Sequence, residues 1–90
     1  MTNPVDLLSR PINFAVVQLA ERQFPGVVVQ GDTLHGLVRQ FDEMVRLLEA
    51  GQLDDLAAEI EDVKDQLSEG LTHFEQVCAE RHISLPYAAS

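Results

Sequence analysis

The sequence predicts an α+β fold of order β-β-β-α-α: a three-stranded antiparallel meander followed by two antiparallel helices, the second long. Three observations lead there. Short runs rich in β-branched residues, separated by turn residues, occupy 1–31. Apolar residues then recur at helical spacing in two stretches, 33–50 and 54–81. The strand connections are too short for crossover helices, so neighbouring strands run antiparallel. At 90 residues the chain is read as one small domain with a tail at 82–90.

The first strand is expected at 5–9. Arg10-Pro11-Ile12-Asn13 follows, with proline at the second position of a type I turn, where its fixed φ fits. The run 13–19 reads as the central strand. Phe14, Val16 and Gln18 point one way, while Ala15, Val17 and Leu19 point the other, so both faces are largely apolar. A polar connection and Phe24-Pro25-Gly26 punctuate the chain before Val27-Val28-Val29-Gln30, a short β-branched third strand. Gly31-Asp32-Thr33 ends the sheet, and Asp32 or Thr33 can cap the next helix by accepting from a first-turn N–H.

The first helix carries Leu34, Leu37, Val38, Phe41, Met44, Val45 and Leu48 on one stripe and ends at Gly51. Asp54 and Asp55 suit the positive end of the second helix. Its stripe is Leu56, Ile60, Val63, Leu67, Leu71, Phe74 and Cys78. Gly70 lies inside it and costs about 1 kcal/mol relative to alanine. A break at 68–70 is the alternative to one continuous helix. At 1.5 Å per residue the second helix is about 42 Å long and the first about 27 Å. A short loop at 51–53 makes them antiparallel neighbours, so the second overhangs. Its distal stripe (Leu71, Phe74, Val77 and Cys78) needs cover from the sheet, the tail or another chain. Those four residues are the expected seam of a homodimer.

The formal net charge is −9, from 6 Lys+Arg against 15 Asp+Glu. Acids and bases balance over residues 1–40, so the whole surplus lies in 41–90. Such a balance argues against nucleic acid or an anionic membrane as partner, since both need cations. It favours capture of a basic protein, with Asp54, Asp55, Glu59, Asp62 and Glu69 as candidate contacts. One cysteine, Cys78, excludes an internal disulfide and a multi-cysteine zinc site. No apolar run reaches the roughly 20 residues of a membrane span, and no leader pattern opens the chain, so a cytoplasmic protein is expected.

No reaction chemistry is legible. Glu69 and His73 are one helical turn apart and could share a metal, but no third ligand joins them, and His35 and His82 stand elsewhere. Cys78 lies on the apolar stripe near Glu75 and Glu80, the setting of a core thiol rather than a nucleophile. The pairs Asp55/Glu59 and Glu61/Asp65 read as solvated carboxylates. Gly26, Gly31 and Gly36 fit neither a dinucleotide loop nor a P-loop. No serine stands on a strand-to-helix elbow. No enzyme activity, cofactor or metal is expected.

The stretch Phe24-Pro25-Gly26-Val27-Val28-Val29-Gln30-Gly31-Asp32-Thr33-Leu34, with the amphipathic helix after it, resembles the corresponding segment of HicB-like antitoxins. The resemblance covers residues 12–49. It implies a small, partly degraded ribonuclease-H-like sheet of β-β-β-α order, with Pro25-Gly26 entering the third strand and Gly31-Asp32-Thr33 turning into the helix. Those antitoxins usually continue with another strand and often a DNA-binding segment, where this chain has a long acidic helix. The whole chain is also similar to a small bacterial family of uncharacterised proteins sharing the Asn-Phe-Ala-Val-Val-Gln-Leu and Phe-Pro-Gly-Val-Val-Val-Gln-Gly-Asp runs. The expected function is a non-enzymatic, acidic protein-binding module that captures a basic partner, as an antitoxin or immunity protein would. The alternative is a homodimeric structural or adaptor domain.

Overall fold

The computed structural model describes residues 5–8 and 13–88. Its element order is β1 (Val5–Leu7), β2 (Phe14–Leu19), β3 (Gly26–Val29), α1 (Gly31–Glu49) and α2 (Leu53–Glu80). The sheet has the order β1-β2-β3 and both pairings are antiparallel, so the chain is the α+β meander-plus-helices that the spacing predicts. Val16 faces Val27 across one ladder, and Leu7 faces Val17 across the other. The turn expected at Arg10-Pro11-Ile12-Asn13 lies mostly outside the described residues. Gln18 Nε2 closes the β2 exit by donating to the carbonyl oxygens of Leu19 and Arg22, at 3.1 and 2.8 Å.

Two compact units make up the described residues, one running to Val29 and resuming at Gly70, the other spanning Gln30–Glu69. In the first, Val16, Phe74, Val77 and Cys78 form a closed core, and Leu8, Ile83 and Leu85 pack against it. Val16 and Cys78 are essentially inaccessible to solvent. Leu8 is tied in twice: its N–H donates to Val16 O, and its carbonyl accepts from Arg81 Nε at 2.9 Å. The residues after α2 are therefore part of the unit. Tyr87, read as part of the tail, donates its hydroxyl to Glu75 Oε2 at 3.1 Å.

Gly70 does not interrupt α2. A Cβ there would stand 3.0 Å from ring atoms of Phe14, so the missing side chain is what admits the phenyl ring. The helix ends at a left-handed residue, His82, with φ 56°. His82 N–H donates to Ala79 O and Ile83 N–H to Cys78 O, the paired bonds of a Schellman closure. Ile83 then lies on the core that holds Cys78, as that closure's apolar contact requires.

In the second unit α1 begins at Gly31, two residues before the expected start, and Asp32 Oδ1 accepts from Thr33 N–H at 2.8 Å. It closes at Gly51, φ 71°, where Gly51 N–H donates to Leu48 O and Gln52 N–H to Leu47 O. This tight turn sends α2 back alongside α1, antiparallel. Leu37, Met44 and Val63 are buried between the two helices with Leu56 against them.

Candidate protein-binding face

The stripe that the sequence places inward on α1 is divided. Leu37 and Met44 are buried, as is Leu47, which that stripe leaves out, whereas Leu34, Val38, Phe41, Val45 and Leu48 keep 52–60 % of their surface exposed. With 3.6 residues per turn, the exposed set lies roughly 90° round the helix from the buried one. The early part of α2 repeats the division. Val63 is buried and Leu56 half-buried, while Leu53, Ile60 and Leu67 are about half exposed. These three sit roughly 50° round from the buried pair, in the same rotational sense. Two helices that run antiparallel and are offset in the same sense present those offsets on the same side. The hairpin of Gln30–Glu69 thus carries one continuous apolar face, five residues from α1 and three from α2. By helical spacing, Lys64 borders it on the α2 side and Glu49 on the α1 side.

The other side of the hairpin is polar and internally bonded. Gln40 Nε2 donates to Glu59 Oε1 at 3.1 Å and to Asp62 Oδ2, and Gln66 Nε2 donates to Gln40 Oε1 at 2.8 Å and to Asp62 Oδ2 at 2.9 Å. Glu59 and Asp62, two of the candidate contacts for a basic partner, are therefore engaged in holding α2 to α1. Asp54, Asp55 and Glu69 are exposed. Among the described residues the one salt bridge is Arg46–Glu43, one helical turn apart on α1. The Arg46 guanidinium holds the Glu43 carboxyl below the usual carboxylate range by hydrogen bond and charge.

The seam expected at Leu71, Phe74, Val77 and Cys78 is corrected at three of its four positions. Phe74, Val77 and Cys78 are closed over by β2, Leu8 and the residues after α2, all of the same chain. Only Leu71 stays half exposed. Spacing alone ranks these residues with Leu67 and Ile60, because periodicity does not tell which turns of a long helix carry a closed core. The exposed hairpin face carried a signal that was present but misread. Its 34-38-41-45-48 spacing is a heptad run parallel to the buried one, and a two-helix unit has no third layer to cover it.

Among the described residues no group of three or more His, Cys, Asp or Glu is placed to hold a metal ion. His73 Nε2 is buried with no hydrogen-bond partner in the structure. Burial, and then the Glu75 carboxylate, push the Cys78 thiol up. Two open hollows, about 320 and 390 Å³, flank the β2–β3 connection and share Leu19 and Arg22 in their walls. No helix among the described residues is long and apolar enough to cross a membrane.

A family model described as a family of unknown function, DUF6959, matches residues 1–87. No curated protein and no solved structure matches the chain.

Proposed function

We propose that this chain, which belongs to the DUF6959 family, is a non-enzymatic protein-binding module whose contact surface is the apolar side of the α1–α2 hairpin. One observation carries the reading. Eight large apolar side chains, each about half exposed, adjoin one another on a small helical unit. Isolated exposed leucines are ordinary, but a contiguous strip of this size marks an interaction surface. The charge supports a protein as partner, since an anionic chain with three cations beyond residue 40 is ill suited to phosphate backbones or anionic lipid. The test is native mass spectrometry of the purified chain beside a Val38→Asp/Val45→Asp variant. The wild type should retain a polypeptide partner that the variant loses. A wild type that holds none, indistinguishable from the variant, would refute the reading.

A second reading is capture of a basic protein in the manner of an antitoxin or immunity protein. It is favoured by the exposure of Asp54, Asp55 and Glu69. Such binding would weaken with added salt, because exposed charges act through screened fields.

A further inference from the structure

We propose that the occupant of the hairpin's apolar face is a second copy of this chain, so that two α1–α2 hairpins close a four-helix core. The inference rests on the binding-module reading and names its partner. The area fits. Leu34, Val38, Phe41, Val45 and Leu48, with the three residues of α2, expose roughly 700 Å² per copy, near the ~800 Å² per partner of a standard interface and above the ~300–600 Å² typical of a monomer's largest patch. That is about a tenth of the 6753 Å² surface, the share a stable pair of small proteins usually buries. The shape fits as well. Both helices present apolar residues at intervals of three, four or seven, the pattern that seats side chains of one helix between those of another. Two hairpins laid face to face supply four such stripes around one centre, the arrangement in which helical pairs bury a second apolar side. The two-fold axis matches each face to itself, so no further sequence is needed to specify the partner.

Charge sets the sign of the salt response. Each copy brings a net charge of −9, so pairing works against repulsion that salt screens. Self-association is therefore tighter in high salt, whereas capture of a basic protein is tighter in low salt.

The experiment is sedimentation velocity of the full chain over a dilution series in low and high salt, with Phe41→Asp and Val45→Asp as face variants and Val28→Thr on the sheet as control. Circular dichroism verifies the helix content of each. The expected result is a wild-type dimer that tightens with salt, weakened roughly 100-fold or more by either face variant and unchanged by the control. Dimers that survive both face variants would overturn the proposal by placing the contact elsewhere. A wild type monomeric throughout would overturn it too. Native mass spectrometry then separates the two readings. A monomeric chain holding a foreign basic protein that Phe41→Asp releases sinks self-pairing and leaves the binding module standing. A monomeric chain that holds nothing sinks both.

Discussion

The phenyl ring of Phe14 on β2 lies against the backbone of Gly70 in α2, close enough that a methyl group on Gly70 would meet three ring carbons at 3.0 Å. Glycine at this point serves close approach, not helix breaking. Gly36, in the middle of α1, has open space around its Cβ position and no such role. The pair predicts opposite signs for one substitution. Gly36→Ala should stabilise the chain by about 1 kcal/mol through helix propensity. Gly70→Ala should instead destabilise it by about 1–2 kcal/mol, because overpacking against a buried ring exceeds the same propensity gain. Urea denaturation of the two variants reads both numbers. Equal stabilisation would show that the Phe14 contact carries no weight.

The two helix ends use one closure with different residues. Gly51 and His82 both hold positive φ, 71° and 56°, but only glycine does so without a Cβ penalty. His82→Gly is expected to raise stability by about 0.5–1 kcal/mol, and Gly51→Ala to lower it by about 1 kcal/mol. Thermal unfolding of both variants would reveal shifts of opposite direction.

Cys78 links packing to pH. Burial first and Glu75 second raise its thiol pKa, so the folded state favours the protonated form. The stabilisation is whole below the unfolded thiol value of about 8.5 and is lost as pH rises through the higher folded value. Stability should therefore fall on the alkaline side, and Cys78→Ala should flatten that fall while lowering stability at neutral pH. In the native protein the thiol should react with a disulfide reagent only as fast as the chain opens. Rapid stoichiometric labelling without unfolding would contradict its burial.

Much of the architecture was legible because local rules and tertiary packing agree. The Val27-Val28-Val29 run, the helical periodicity after Gly31 and the glycine stop at 51 each name an element within one or two residues of its observed bounds. What was not legible was which part of a wide apolar sector would turn inward. Leu37 and Val38 are neighbours in sequence and 100° apart on the helix, and periodicity admits both to the core. In the structure one is buried and the other half exposed. That choice depends on the direction from which α2 arrives, a tertiary fact. The distal stripe was misjudged for a related reason: Ile83 and Leu85, read as tail, close over it. The candidate carboxylates were visible as residues, but the glutamines that engage Glu59 and Asp62 come from 19 and 22 positions upstream, both at Gln40, and from Gln66.

The central claim is that the apolar side of the Gln30–Glu69 hairpin is the surface through which two copies of this chain pair, and it is tested most directly by methyl-resolved NMR of the unmodified chain on dilution. The account predicts that methyl signals of Leu34, Val38, Val45, Leu48, Leu53, Ile60 and Leu67 shift or broaden with concentration, while those of the core residues Val16 and Val77 stay fixed. Signals that do not respond to concentration, or a response confined to Val27 and Val28 on the sheet, would contradict it.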